Sequence, residues 1–309
     1  MPVRNEITFM HKERVLITGA SGFIGTRLTQ YLLSKDYAVV GLSRQSTRLS
    51  NHPDMLWIQQ LDELKTDRID YVINLAGESI GKGRWTDQRK QQLIQSRVET
   101  TTNLYRYLER RRIQPKCIIS GSAVGYYGID AEEKWLNACT ENSPSQLVFQ
   151  SELCQRWEAS ALQFPHQNTK IIRLGIVLSA KGGILPQMLM PIRLNLVGKI
   201  GHGRQPVVWV HIQDVLSAIE FLMTKQTQSN VFNLTAPERV TQAQFSILAA
   251  QQLKKHPLLN MPAFVFKCML GEQSQLVLNG QYVKPQALTE AGFSFKYPTL
   301  KEALANLLG

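Results

Sequence analysis

Arg14-Val15-Leu16-Ile17-Thr18-Gly19-Ala20-Ser21-Gly22-Phe23-Ile24-Gly25 decides the fold. Its first five residues form a short, mostly apolar run that reads as a buried strand. Glycines at 19, 22 and 25 follow, and an amphipathic helical pattern runs from about Ile24 to Lys35. The first glycine allows a tight turn. The second lets the backbone approach a pyrophosphate, and the third lets the helix pack closely on the strand. Amides at the helix start then face the phosphate charge. Gly19, Ser21, Gly22, Phe23, Ile24 and Gly25 are therefore candidate dinucleotide-binding residues.

The next strand, Ala38 to Ser43, closes as Gly41-Leu42-Ser43-Arg44. An acidic residue here would bind a ribose 2′-hydroxyl, whereas Arg44 suits a 2′-phosphate. The expectation is NADP(H), with NAD(H) the weaker alternative. Ser43 and Arg44 are placed at the cofactor and Arg48 is an added candidate. The competing reading of Arg44 is a solvated surface arginine.

Further strands are expected near Leu56 to Gln59, Tyr71 to Leu75, Cys117 to Ser120 and Lys170 to Leu174. A long helix is expected from about Asp87 to Arg112 and another over Phe149 to Leu162. Alternation of this kind implies right-handed βαβ units. The fold class is α/β: a Rossmann-type doubly wound parallel sheet with a smaller C-terminal α+β substrate domain. After Gly175 the pattern loosens, with helices expected at 211–223, 241–253 and 300–308 and a strand at 231–234. The organisation reads as an N-terminal tail over 1–12 and a dinucleotide domain over 13–175, with sheet contributions from around 207–234. Residues 176–309 form the mainly substrate-side remainder. Met10 lies shortly before the first strand, so the residues ahead of it read as dispensable.

The 309 residues carry 35 basic and 24 acidic side chains, a net charge of +11. No basic stretch is interleaved with aromatics, and Arg110-Arg111-Arg112 falls at a helix end, where cations suit the helix dipole. Nucleic acid is therefore not expected as a partner, while an anionic small-molecule substrate is compatible. The best apolar stretch, 184–200, is broken by Pro186, Pro191, Arg193 and Lys199, so no membrane partner is expected. Cys117, Cys139, Cys154 and Cys268 form no CxxC pair, and no His/Cys/Asp cluster has ligand spacing. The expectation is a reduced, cytoplasmic protein without a metal.

Thr18 to Gly25, Asn74-Leu75-Ala76-Gly77 and Ser120-Gly121-Ser122 together resemble the extended short-chain dehydrogenase/reductase family. Within it, Asn74 to Ile80 with Arg84-Trp85-Thr86 is similar to the YfcH-like, epimerase-like branch. So are Ser122-Ala123-Val124-Gly125-Tyr126-Tyr127-Gly128, Trp157-Glu158, Arg173 to Leu178, and Trp209 to Ile212 with Asp214. Asn233 to Pro237 and Gly292 to Pro298 fit too, the latter matching that branch's C-terminal domain of unknown function. The resemblance covers nearly all of 13–309. It implies that Leu75, Ala76, Gly77 and Gly121 also line the cofactor, that Ser122 is catalytic, and that a homodimer is permitted.

The general family places Tyr-x-x-x-Lys on the helix after the fifth strand, where the lysine cation lowers the tyrosine pKa. Here those positions are Gln150 and Cys154. The pairs Tyr31/Lys35 and Tyr297/Lys301 lie on the wrong elements. Ser122 with Tyr127 or Tyr126 is the remaining candidate for proton chemistry, the alternative being that both rings only pack. Glu78, Arg84 and Arg97 are candidate substrate contacts, and Lys82 is a weaker one. His211, ahead of Gln213-Asp214, reads as a loop-to-helix clasp. The function implied is an oxidoreductase or nucleotide-sugar epimerase-like enzyme. The rival is an NADP(H)-binding sensor or scaffold without turnover.

Overall fold

The computed structural model describes residues 12–44, 52–130 and 132–309; Arg48 and the tail ahead of Lys12 lie outside them. Arg14–Thr18 forms β1. Val15, Leu16 and Ile17 are completely buried, because helices cover both faces of the sheet. This is why the strand reads as a continuous apolar run rather than an alternating one. The chain continues through α1 (Phe23–Ser34), β2 (Ala38–Leu42), β3 (Met55–Ile58) and β4 (Tyr71–Asn74). It then forms α2 (Asp87–Arg110), β5 (Cys117–Ala123) and α3 (Phe149–Leu162). Strands Thr169–Leu174 and Val231–Leu234 complete a seven-stranded parallel sheet. Its order is Val231–Leu234, Thr169–Leu174, β5, β4, β1, β2, β3.

Successive β1 side chains separate two cores. Ile17 packs with Leu28 and Leu32 of α1 and Val215, Ile219 and Leu222 of helix Ile212–Thr224. Leu16 packs with Leu104, Tyr105 and Leu108 of α2 and Ala161 of α3. Each Leu, Ile or Val among them contributes roughly 1.5–3 kcal/mol when fully buried. The chain runs outward from β1 to β3, then crosses back to pair β4 on the other side of β1. That reversal opens a crevice beyond the carboxyl ends of β1 and β4, where open α/β sheets bind ligands.

The expected sheet contributions from 207–234 divide. Val231–Leu234 joins the main sheet, but Trp209–His211 pairs with Ile176–Leu178 in a separate ladder. Gly175 marks the departure: a Cβ there would lie 2.9 Å from the Val208 carbonyl oxygen. A third core gathers Leu185 and Leu189, Phe245 and Ala249, and Leu300 and Leu304 from three helices of the C-terminal lobe. His211 caps helix Ile212–Thr224, its Nδ1 accepting from the Gln213 amide at 3.1 Å. Burial pushes its imidazole pKa down to about 4, which leaves a neutral clasp as the sequence suggested. Asp214, completely buried, accepts from the Lys296 and Tyr297 amides at 2.7 and 3.1 Å and latches the C-terminal segment to this helix.

Candidate active site

The glycine turn forms a cradle. Gly19 has φ 69°, and a Cβ on it would sit 2.8 Å from the Leu75 carbonyl oxygen. The turn after β1 therefore lies directly against the chain leaving β4. A Cβ on Gly25 would sit 2.2 Å from the Gly19 carbonyl oxygen, so only glycine lets α1 come this close. Gly22 is the N-cap of α1 and supplies no side-chain cap, and no acidic residue occupies the first turn. The amides of the first turn are thus left for another acceptor at the positive end of the helix dipole. This donor set fits a pyrophosphate.

The floor of the crevice is fixed by a buried network. Thr18 Oγ1 donates to Asn74 Oδ1 at 2.6 Å, and Asn74 Nδ2 donates to Thr101 and Ser120 hydroxyls at 2.8 and 3.3 Å. The Ala76 amide donates back to Thr18 Oγ1 at 3.3 Å. Asn74 thereby aligns the ends of β1, β4 and β5, presenting Leu75, Ala76 and Gly77 at the crevice.

Arg44 is exposed at the end of β2. Glu78, beyond β4, accepts a hydrogen bond from Arg89. That bond holds the Glu78 carboxyl below its usual range, with Arg44 and Lys82 adding to the effect through their charge. Arg44 and Glu78 both follow the carboxyl ends of sheet strands, and Glu78 is a paired carboxylate there.

Two expected substrate contacts are corrected. Arg97 is buried: its Nη1 donates to the Leu93 carbonyl at 3.0 Å and its Nη2 to the Glu78 carbonyl at 2.8 Å, with the guanidinium over the Trp157 ring. It braces the chain beneath Gly77 and has no free fork for a substrate. Arg84 donates to the Met269 and Cys268 carbonyls at 2.9 and 2.8 Å. These are the last carbonyls of helix Ala263–Leu270, whose negative dipole end attracts a cation. Arg84 ties the C-terminal segment to the loop after β4.

The proton-transfer candidates are redistributed as well. Tyr127 is fully buried: it donates to Asn233 Oδ1 at 2.7 Å and accepts from Arg173 at 2.8 Å. Burial pushes its phenol up to about 12. It is an interior strut and cannot exchange a proton in the crevice. Ser122, 1% exposed, donates to Glu158 Oε1 at 2.6 Å. Glu158 in turn receives Arg173 on both carboxylate oxygens at 2.8 Å. With its proton committed to the Arg173-paired carboxylate of Glu158, Ser122 is not placed to polarise a substrate carbonyl. Tyr126 is only half-buried, its hydroxyl has no hydrogen-bond partner among the described residues, and the Arg173 guanidinium lies 3.4 Å from its ring centre. Gln150 packs on the turn Val124–Tyr127 with Oε1 unpartnered. Burial pushes the Cys154 thiol up to about 11, so it is neutral and inert.

Sequence reasoning assigned no role to Glu158, Arg173 or Asn233. The available signal was Arg173 itself, a charge within the run Lys170-Ile171-Ile172-Arg173-Leu174. A charge in a buried strand must find interior partners: Lys170 donates to the Leu222 and Lys225 carbonyls, and Arg173 meets the Glu158 carboxylate. Among the described residues no cluster of His, Cys, Asp and Glu could hold a metal.

Residues 15–235 match the model of the NAD dependent epimerase/dehydratase family, and residues 261–307 match a domain of unknown function. An epimerase family protein of Staphylococcus epidermidis is 35% identical over 302 residues, covering 96% of this chain and 99% of its own length. Human epimerase family protein SDR39U1, solved with NADPH, is 31% identical with a TM-score of 0.83, covering 96% of this chain and 99% of that one. A nucleoside-diphosphate sugar epimerase from Corynebacterium glutamicum is 26% identical with a TM-score of 0.76, covering 97% of this chain and 59% of that one.

Proposed function

Because the chain belongs to the NAD dependent epimerase/dehydratase family, we propose that it is an NADP(H)-dependent oxidoreductase or nucleotide-sugar epimerase-like enzyme. Its substrate is a small carbonyl or alcohol compound. The observation that carries this reading is the uncapped start of α1 beside the exposed cation Arg44. Gly19, Ser21, Gly22, Phe23, Ile24 and Gly25 would hold the pyrophosphate. Ser43 and Arg44 would hold the adenosine 2′-phosphate, and Leu75, Ala76, Gly77 and Gly121 would line the other half. When bound, NADP(H) supplies a hydride acceptor or donor. The human relative solved with NADPH supports the same cofactor. Four free cysteines are consistent with a reducing compartment.

Of the aromatic pair, Tyr126 is the better proton donor, since Tyr127 is sealed in the interior. Arg173 orients Tyr126 by lying on its ring. Ser122 acts through Glu158 and Arg173 as a positioning residue. Tyr126→Phe is expected to lower kcat roughly a hundredfold, the lower end for a general acid, with NADPH affinity unchanged. Wild-type turnover in this variant removes Tyr126 from the chemistry.

Arg44→Asp tests the cofactor. NADPH affinity should fall roughly a hundredfold, because a charge-assisted contact is lost and a like charge is introduced. NADH affinity should fall much less. Equal losses for both cofactors would reduce Arg44 to a surface arginine.

A second reading, an NADP(H) sensor or scaffold without turnover, is favoured by Gln150 and Cys154 at the tyrosine and lysine positions. Stopped-flow absorbance of bound NADPH against a panel of carbonyl compounds separates the two. Oxidation at a substrate-dependent rate supports the enzyme, and complete inertness supports the sensor.

A further inference from the structure

The chain contains no Asp or Glu over 182–213 or over 240–271, yet these stretches hold Arg193, Lys199, Arg204, Lys254, Lys255 and Lys267. The fold brings the two stretches together. Strand Val197–Ile200 pairs with Leu259–Met261, and Gln242 and Ser246 of helix Gln242–Leu253 both donate to the Gly198 carbonyl. None of the six cations has an ion-pair partner among the described residues. These two paired stretches therefore carry charge of one sign.

Four leucines stand in the middle of this charge. The Leu258 amide donates to the Asn195 carbonyl at 3.2 Å, the Leu259 amide to the Leu196 carbonyl at 3.0 Å, and the His256 amide to Asn195 Oδ1 at 2.8 Å. The stitched loops leave Leu194, Leu196, Leu258 and Leu259 exposed by 59, 51, 83 and 60%. Arg193 precedes one leucine pair, and Lys254 and Lys255 precede the other. A contiguous apolar patch in water marks an interaction surface. Protein interface cores are depleted in Lys, and their hot spots favour Trp, Tyr and Arg over Leu. Leucine tips among unpaired cations suit a bilayer surface instead: the apolar side chains enter the acyl boundary while the cations meet anionic headgroups.

We propose that this face docks the protein onto an anionic lipid bilayer as a peripheral contact. No described helix is long and apolar enough to cross a membrane, and surface docking needs none. The expectation of no membrane partner rested on the lack of a span. The proposal uses no residue of the dinucleotide crevice, so it stands or falls separately from the enzymatic reading.

The test is co-sedimentation of the full chain with vesicles of phosphatidylcholine alone or mixed with phosphatidylglycerol. The protein is expected to pellet with the mixed vesicles only, and to be released at high salt. Lys254→Ala with Lys255→Ala should weaken partition roughly twenty-five-fold, since each cation at an anionic surface is worth about fivefold. Leu258→Ser with Leu259→Ser should weaken it roughly tenfold. Circular dichroism and thermal unfolding of each variant verify that the fold is kept. Three results overturn the proposal: no pelleting at low salt, equal partition onto both vesicle types, or wild-type binding by the leucine variant. A dimer that becomes monomeric in the leucine variant, with no vesicle binding by wild type, assigns the face to a second copy instead.

Discussion

Gly25→Ala is expected to eliminate measurable dinucleotide binding. The added methyl would stand 2.2 Å from the Gly19 carbonyl oxygen and 2.7 Å from the Ala20 Cα. Both obstacles are backbone, so no rotamer change relieves them. The start of α1 must lift away from β1, and the uncapped amides lose their aim. Overpacking of this kind costs about 1–3 kcal/mol of stability. The affinity loss should exceed roughly a hundredfold, because every helix-end donor moves at once. NADPH fluorescence titration reads the affinity and urea unfolding reads the stability. Gly81→Ala is the control: nothing lies within 4 Å of its added methyl, so binding should match wild type. Wild-type affinity in Gly25→Ala would show that the close helix-strand contact does not aim the amides.

Glu158→Ala is expected to cost about 3–5 kcal/mol, the usual loss when one partner of a buried pair is removed. Arg173 and Glu158 are 4 and 7% exposed at their side chains. Burial alone would lower the Arg173 pKa. The two Glu158 hydrogen bonds and its charge more than offset this, so the guanidinium is held above its ordinary range. Without Glu158, a full charge stays in the interior and the Ser122 hydroxyl loses its acceptor. The urea midpoint should drop with little change in slope. Pairing Glu158→Leu with Arg173→Met should recover much of the loss, since neither charge is then stranded. A single variant as stable as wild type would mean that Arg173 escapes to solvent.

The sheet was readable in the sequence because its information is local. Gly22 and Gly25 answer steric demands within a few residues, Gly19 takes a positive φ in the turn, and β1 displays its two-sided burial as an unbroken apolar run. The exposure of Arg44 after β2 was readable because a strand end fixes where the chain emerges. The catalytic assignments fared differently because they depend on partners far along the chain. Tyr127 and Tyr126 are neighbours in sequence, yet Asn233, 106 residues away, claims one and leaves the other free. Arg97 looked available until the Glu78 carbonyl, 19 residues back, was found to occupy it. Arg84 was spoken for by carbonyls 184 and 185 residues distant. Polar side chains have no period that announces such engagements. The charges Lys170 and Arg173 inside a buried strand hinted at such engagements.

The latch at Asp214 bears on how this lineage can vary. Its carboxylate accepts amides of Lys296 and Tyr297, while Arg84 grips the carbonyls of Cys268 and Met269. The region matched as a domain of unknown function is thus held by residues encoded within the epimerase segment. A descendant that lost the C-terminal segment would inherit a buried carboxylate with no donors and an arginine with no anchor. A recombinant that exchanged one of the two segments between distant relatives would have to preserve these contacts.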